Sequence, residues 1–442
     1  MLVACVTDLR DIPKLDPLAD IVELRLDAFE GVIEKPNFPC IFTFRKKEQG
    51  GLKDISDPER LAQIEKLLEL SPDYCDIEAD TDPAFIAHIA KKFPNVKLIG
   101  SYHNFHETPS DLPALLQTLK TPHFSIYKIA VTAQSTADML RLMIFAKEAN
   151  EPLSVISMGE FGKPSRILGP LVGNVLDYAG LEEDLLLHRY SLKTLHEVFH
   201  YRCLNAQTKV FALIGDPVEQ SPGYLFHNAH FKTNAVYIKM RLKTEELATF
   251  FQLIKKLPFY GFSVTMPLKE AIFPFLDAIE PEAQAIGAIN TVIFRDKKAI
   301  GINTDAFGAL EAIEKHLKVA GKRLAILGAG GSAKAIAYEA KRRGAVVSIY
   351  NRTLARAKQL AADLGCDGYG LEELKSYDLL VNTTPPTSEL LPLLIPKTTI
   401  MDIVYHPKET PLLQQAKKLG CHCIYGEEMF IEQALLQQSY FH

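Results

Sequence analysis

The sequence predicts an α/β protein in three parts: an N-terminal (β/α)8 barrel, an α/β substrate domain and a Rossmann-type nucleotide-binding domain. Three observations carry this prediction. Within the first 200 residues, short β-branched runs alternate eight times with helical patterns, as a parallel barrel requires. Several of those runs place ionisable residues at every second position. From Arg323 onward a strand, a Gly-rich turn, a helix and a second strand form a βαβ unit that opens a doubly wound sheet.

The barrel strands are expected at Val3–Thr7, Ile21–Asp27, Cys40–Arg45, Tyr74–Asp80, Lys97–His103, Ser125–Thr132, Leu153–Met158 and Val175–Ala179. Helical patterns lie between them at Pro58–Leu70, Pro83–Lys92, Pro109–Leu119 and Ser135–Ala149. A polar stretch, Asn205-Ala206-Gln207-Thr208-Lys209, marks the boundary before a new strand at Val210–Ile214. The domains are therefore 1–206 and 207–442. Strand and helix signals then alternate less regularly, with prolines, to residue 305.

A chain of 442 residues fits two to four domains at roughly 150 residues each. Lys and Arg number 49 against 54 Asp and Glu, a net charge of −5. With no long basic run, neither a nucleic-acid stripe nor a polybasic membrane patch is expected. Nor does any apolar run reach the length of a membrane span, and the N-terminal run is too short for a signal peptide. Seven scattered Cys without a Cys-x-x-Cys pair suit reduced thiols in a cytoplasm. Cys421-His422-Cys423 is their only cluster, and without a second ligand pair no metal site is expected.

Period two sorts the charges to one side. Glu23, Arg25 and Asp27 share a face, opposite Val22, Leu24 and Leu26. Thr43 and Arg45 oppose Phe42 and Phe44; Asp76, Glu78 and Asp80 oppose Ile77 and Ala79. Helices cover a barrel outside, so the charged faces point inward. Buried charge is costly unless paired or used. Two readings follow: a self-neutralising structural network, or a pocket of carboxylates and guanidiniums open at the strand C-termini. Lys128 lies in an apolar strand, where desolvation and nearby Arg favour the free amine that Schiff-base formation needs. His103 ends its strand and can shuttle protons near neutral pH. Together they point to a carbonyl substrate and imine chemistry.

Glu23-Leu24-Arg25-Leu26-Asp27, Phe42-Thr43-Phe44-Arg45, Ser101-Tyr102-His103-Asn104-Phe105-His106, Tyr127-Lys128-Ile129-Ala130 and Ser157-Met158-Gly159 resemble the type I 3-dehydroquinate dehydratases, in family order. The resemblance implies Lys128 as the imine-forming lysine on the C3 ketone. It implies His103 as base for the C2 proton, then as the acid that expels the C1 hydroxyl. Glu23, Arg25, Arg45 and Arg166 would hold hydroxyls and the carboxylate. Two positions depart from the family. Gln49, preceded by Glu48, stands where a Glu usually partners the histidine. Leu185 to Arg189 replaces the usual lid, with His188 and Arg189 as the available donors.

In the second half, Leu324-Ala325-Ile326-Leu327 leads into Gly328-Ala329-Gly330-Gly331-Ser332, where glycines let helix amides face a pyrophosphate. The next strand ends at Tyr350-Asn351-Arg352-Thr353, with Arg356 behind. Arg352 stands where NAD-binding proteins carry an acid, which favours a 2′-phosphate and hence NADP. Lys269 and Asp305 are a candidate acid–base pair, with a surface salt bridge as the alternative.

These segments, with Gly261 to Lys269, Gly287 to Thr291, Gly301 to Asp305, Gly215 to Ser221, Asn382 to Pro385, Asp402 to Pro407 and Gly426 to Gln433, resemble shikimate dehydrogenases. The resemblance implies Lys269 and Asp305 as the acid–base pair, and Ser221, Thr265, Asn290, Tyr405 and Gln433 around the substrate. It adds Ile403 and Gly426 to the cofactor site. It also implies that 207–305 with 426–442 bind substrate and 306–425 bind NADP. The family's carboxylate clamp is altered: Ser221 remains, but Gly223 and Tyr224 replace the second serine and the proline. The whole thus resembles a bifunctional enzyme that dehydrates 3-dehydroquinate to 3-dehydroshikimate and reduces it to shikimate with NADPH. A metabolite-sensing regulator of the same make-up and a quinate dehydrogenase are the alternatives.

Overall fold

The computed structural model describes residues 1–15, 18–29, 33–184, 188–385 and 394–442. Its first sheet contains β1 (Leu2–Val6), β2 (Ile21–Arg25), β3 (Cys40–Thr43), β4 (Tyr74–Glu78), β5 (Lys97–Asn104), β6 (Phe124–Thr132), β7 (Leu153–Met158) and β8 (Asp177–Ala179). These run β7-β6-β5-β4-β3-β2-β1-β8, a nearly closed parallel barrel. At the seam, β7 and β8 meet partly through side chains. The Asn174 amide donates to the Val155 carbonyl and accepts from its N–H, both at 3.0 Å, while Ser154 Oγ accepts from Leu176 N at 2.8 Å. This side-chain pairing explains why β8 is shorter than the expected Val175–Ala179.

The strand–helix alternation is complete only from β3 onward. Helices Asp57–Leu68, Pro83–Lys92, Leu112–Leu119, Thr136–Glu148, Ser165–Val172 and Leu192–Glu197 follow β3 to β8 in turn. Between β1 and β2 stands a 3-10 turn, Leu9–Lys14, with Pro13 inside it and no buried residue. No α-helix joins β2 to β3 among the described residues. Four strands also stop short of their expected ends, leaving Thr7, Asp27, Arg45 and Asp80 on the following loops. Asp27 and Arg45 are buried there. Asp80 is exposed and pairs with Lys46 at 3.4 Å, so the expectation that it faces inward is corrected. The helix expected from Pro109 starts at Leu112, capped by the Asp111 side chain.

Inside the barrel an apolar cluster includes Val3, Ile21, Ile41, Ile99, Ile126, Ile156 and Tyr178. Two positions further along their strands, a single period of the pleat, lie Glu23, Thr43, Ser101 and Lys128. All four are buried. One inner face therefore supplies both the apolar plug and the charged layer.

The second sheet contains β9 (Lys209–Gly215), β10 (Ala235–Arg241), β11 (Phe259–Val264), β12 (Ala278–Ile279), β13 (Thr291–Arg295) and β14 (Lys298–Ile302). Their order is β10-β9-β11-β13-β14-β12, with β13 antiparallel to β11 and β14. The third contains β15 (Arg323–Leu327), β16 (Val346–Tyr350), β17 (Asp367–Tyr369), β18 (Leu379–Asn382), β19 (Thr399–Asp402) and β20 (His422–Tyr425). It is parallel, ordered β17-β16-β15-β18-β19-β20, so the winding reverses at β15, where such sheets hold ligands. Apolar clusters pack both of its faces. Compactness divides the chain into Met1–Val210 with Asn234–Leu242 and Ala248–Phe259, and Phe211–Thr233 with Lys243–Leu247 and Tyr260–His442. No helix among the described residues is long and apolar enough to cross a membrane. Cys421-His422-Cys423 spans the start of β20; Cys421 Sγ donates to the Ile395 carbonyl. Among the described residues no group of three or more His, Cys, Asp or Glu is arranged to hold a metal ion.

Candidate active sites

In the barrel, β6 delivers Lys128 to the interior. Its Nζ lies 3.0 Å from Asp76 Oδ2 and 3.2 Å from Glu23 Oε1, and 4.0 Å from the centre of the Tyr178 ring. Nearby Arg was expected to favour the free amine; the groups that touch it are two carboxylates. Glu23, expected at substrate hydroxyls, also accepts from Thr43 Oγ1 at 2.9 Å and from Cys5 Sγ at 3.2 Å. Burial, then the Glu23 charge, push the Cys5 thiol up to about 12, so it stays protonated. Arg45 reaches Asp76 at 2.9 Å, Glu78 at 3.1 Å and Ser101 Oγ at 2.6 Å. Burial pushes the Asp76 carboxyl up, but Arg45 and Lys128 outweigh it and hold Asp76 ionised. The charged faces therefore form a paired network, and the lysine sits inside it.

His103 comes from the C-terminal end of β5. Burial and the positive charges of Arg45 and Lys128 hold its imidazole well below the usual histidine range. Gln49 Oε1 accepts from its backbone N–H at 3.0 Å and lies 3.3 Å from Nδ1, so Gln49, not Glu48, partners the ring. Arg25 forks onto Asp27 at 3.0 and 2.8 Å.

Arg166 and Arg189 have spare donor capacity, as does Arg60 through Nη2. The Nε of Arg166 and of Arg189 is buried without a hydrogen-bond partner among the described residues. Arg189 has an ion pair with Asp184 at 3.7 Å. Burial, then the Arg189 charge, bring Arg166 down to about 10. Two like charges with unfilled donors suit an anionic partner. Leu185 to Leu187 of the expected lid lie outside the described residues. His188 adopts φ +48.

The second site gathers around Lys269, in the short helix Leu268–Ala271. Its Nζ donates to Asp305 Oδ2 at 2.5 Å and to Ser332 Oγ at 3.2 Å. Asp305 opens the helix Asp305–Glu314. Asn290 Nδ2 donates to Asp305 Oδ1 and Thr304 Oγ1, both at 2.9 Å, and Thr304 Oγ1 donates to Gln433 Oε1 at 3.3 Å. The salt-bridge alternative for Lys269 and Asp305 is a true ion pair, but Asp305 is buried, not on the surface. Thr265 follows β11, with its N–H on Ile214 O at 3.0 Å. Ser221 and Tyr405 meet by a hydrogen bond; burial pushes the phenol up and that bond opposes it.

The residues that sequence reasoning missed support this site from behind. Gln437 Nε2 donates to Thr291 Oγ1 at 2.7 Å, and its Oε1 accepts from Ser263 Oγ at 2.6 Å. Buried His227 lies 2.6 Å from Gln438 and 3.2 Å from Gln437. Gln433, Gln437 and Gln438 all stand on the helix Gly426–Phe441, where consecutive polar positions give no apolar stripe to read.

The turn after β15 fits a dinucleotide. Gly328 has φ +115, and a Cβ there would fall 2.3 Å from Thr383 Oγ1. Gly330 faces open space, and the helix Gly331–Arg342 has no side-chain cap on its N-terminal amides. Ala329 is half-buried beside it. Beyond β16, Asn351 Nδ2 donates to Thr353 O at 3.1 Å. Arg352 and Arg356 are exposed and form no ion pair among the described residues. Ile403 N donates to Asn382 O, and a Cβ on Gly426 would meet the Ile403 carbonyl at 2.5 Å.

A barrel with an interior lysine, followed by a doubly wound dehydrogenase fold with its own lysine–carboxylate pair, is a two-centre enzyme: a lyase joined to an oxidoreductase. Residues 5–205 match the family described as type I 3-dehydroquinase. Residues 213–292 match the shikimate dehydrogenase substrate binding domain, and 311–388 match shikimate/quinate 5-dehydrogenase. The shikimate biosynthesis protein AroDE of Chlamydia pneumoniae is 37% identical over 437 residues, covering 95% of this chain and 89% of that protein. The chloroplastic bifunctional 3-dehydroquinate dehydratase/shikimate dehydrogenase of Arabidopsis thaliana is 35% identical, covering 96% and 77%. A solved shikimate dehydrogenase from Aquifex aeolicus superposes with a TM-score of 0.50 at 37% identity, covering 53% of this chain and 92% of its own. The chain belongs to the family of bifunctional 3-dehydroquinate dehydratase/shikimate dehydrogenases, and its dehydrogenase uses NADP.

Proposed function

We propose that Lys128 and His103 carry out the dehydration and that Lys269 and Asp305 carry out proton transfer in the reduction. The division of labour is 1–206 for the dehydratase and 207–442 for the dehydrogenase. Within the latter, 207–305 and 426–442 hold substrate and 306–425 holds NADP. The Lys128 amine attacks the C3 ketone of 3-dehydroquinate and loses water to form an imine; Glu23 and Asp76 are the bases nearest its ammonium. His103 removes the C2 proton, then returns a proton to the C1 hydroxyl, which leaves as water. Hydrolysis of the imine releases 3-dehydroshikimate. Arg166 and Arg189 clamp the carboxylate, while Arg25 and Arg45 order the wall of the pocket.

In the second site, NADPH when bound supplies hydride to the ketone carbon. Gly328 to Ser332 would hold its pyrophosphate, and Asn351, Arg352, Thr353 and Arg356 its adenosine 2′-phosphate. Ile403 and Gly426 would line the nicotinamide side. Lys269 gives a proton to the carbonyl oxygen as charge develops there, and Asp305 holds the ammonium in place. Asn290, Thr265, Gln433, Tyr405 and Ser221 hold the ring and its carboxylate. Seven free cysteines suit work on small molecules in a reducing cytoplasm.

The observation that carries the reading is Lys128, buried on the strand next to that of His103, in a barrel where the Nε of Arg166 and of Arg189 lack partners among the described residues. A coupled assay tests it. With 3-dehydroquinate and NADPH, absorbance at the nicotinamide band should fall. Lys128→Ala should abolish that fall while 3-dehydroshikimate still consumes NADPH. Turnover of 3-dehydroquinate by Lys128→Ala would overturn the assignment.

A further inference from the structure

Two successive residues of the dehydrogenase substrate part reach the first turn of the cofactor helix. Lys269 Nζ donates to Ser332 Oγ at 3.2 Å, and Glu270 pairs with Lys334 at 3.0 Å. The lysine stem runs along Gly331: a Cβ there would lie 3.2 Å from Lys269 Cδ and 3.4 Å from Ala288 Cβ. Ser332 is the second residue of the helix Gly331–Arg342, at the end that favours anions. A hydroxyl that accepts from an ammonium still has its own proton to donate. Oriented toward the uncapped amides, that proton serves a phosphate oxygen. Donation to an anion makes the same oxygen a better acceptor for Lys269.

We propose that Ser332 is a positioning residue that couples the phosphate-binding turn to the Lys269 ammonium, so that cofactor binding sets the proton donor in place. This inference rests on reading Lys269 as the proton donor to the substrate ketone. Because the coupling is an equilibrium property, it works both ways: cofactor tightens substrate binding and substrate tightens cofactor binding by the same factor.

NADPH and shikimate form a pair that cannot react, so binding is measurable without turnover. In calorimetric titrations of the full chain, NADPH should tighten shikimate binding. In Ser332→Ala that tightening should shrink by about five- to tenfold, while shikimate alone binds as in the parent enzyme. At saturating NADPH, kcat/KM for 3-dehydroshikimate should fall by at least that factor, with a rise in KM. Ser332→Thr, which keeps the hydroxyl, should restore both. Weaker NADPH binding with the tightening intact would make Ser332 a phosphate donor only and overturn the proposal. So would no change in Ser332→Ala, or no tightening in the parent enzyme. Dehydratase activity and the melting profile of each variant report folding. The underlying reading fails separately: Lys269→Met retaining full turnover would remove the proton-donor role whatever Ser332→Ala does.

Discussion

Gln49 Oε1 faces two nitrogens of one residue, the backbone N of His103 at 3.0 Å and its ring Nδ1 at 3.3 Å. A backbone N–H can only donate, so the amide oxygen must be the atom turned toward it. Nδ1 must then carry a proton, which leaves Nε2 as the free base. A neutral side chain thus fixes the tautomer without adding charge to stabilise the imidazolium.

The first prediction concerns dehydratase pH dependence. With His103 held well below the usual histidine range, the acid limb of its kcat/KM should lie below pH 6.5. Gln49→Glu places a carboxylate at Nδ1, favours the protonated ring and should move that limb upward by about one unit. Profiles of both enzymes that superimpose would show that another group sets the limb.

The imine can be trapped. Borohydride with 3-dehydroquinate should leave a covalent adduct on Lys128, found by peptide mass spectrometry, and Lys128→Ala should give none. Dehydrogenase turnover in that variant should be unchanged. An adduct on any other lysine contradicts the role given to this one.

Arg352 and Arg356, exposed and without ion pairs among the described residues, are matched to a phosphate. Arg352→Ala should raise the KM for NADPH by roughly ten- to a hundredfold, the weight of a charge-assisted contact of about 1.5–3 kcal/mol. The KM for NADH should change little. Equal losses with both cofactors would remove the 2′-phosphate from the argument.

Lys269→Ala should lower 3-dehydroshikimate turnover by roughly two to four orders of magnitude, with a much smaller change in KM, because its contact strengthens in the transition state. Steady-state kinetics with the dehydratase as internal control decide the matter. Full turnover with poor shikimate binding would reassign the lysine to holding substrate.

His227 gives a stability prediction. Burial brings it down to about 4, against the hydrogen bonds of Gln438 and Gln437. Unfolded histidine protonates near 6.5, so between these values the unfolded chain binds more protons. Stability from this residue is therefore complete above pH 6.5 and falls as pH drops, by about 2 kcal/mol at pH 5. The dehydrogenase melting temperature should drop on acidification, and His227→Gln should flatten that slope. A variant with the parent's slope would place the acid sensitivity elsewhere.

The barrel was legible because a strand in a covered sheet sorts its side chains by parity. Glu23, Thr43 and Asp76 could be placed inside from parity alone. Which carboxylate touches the lysine was not, since Glu23 and Asp76 reach Nζ from strands far apart in sequence. Parity also failed beyond the strand ends: Arg45 stays buried against Asp76 and Glu78, but Asp80 turns out to solvent. The missing early helix between β1 and β2 follows from Pro13, which stands inside the short 3-10 turn. In the dehydrogenase, motifs at turns exposed Lys269, Asp305 and the glycine loop. His227, Ser263 and Gln437 escaped because a buried polar network has no periodic signature; it shows only when donors and acceptors from distant elements are seen to meet.

The helix Gly426–Phe441 brings Gln433 to Thr304 and Gln437 to Ser263 and Thr291, more than 100 residues earlier in the chain. On a ribosome, the dehydrogenase substrate site must wait for this helix to emerge, after the Rossmann strands have already been made. The eight barrel strands end at Ala179, and each of their ladders closes within that length. Synthesis order therefore follows reaction order: the lyase centre can be assembled while the reductase is still incomplete.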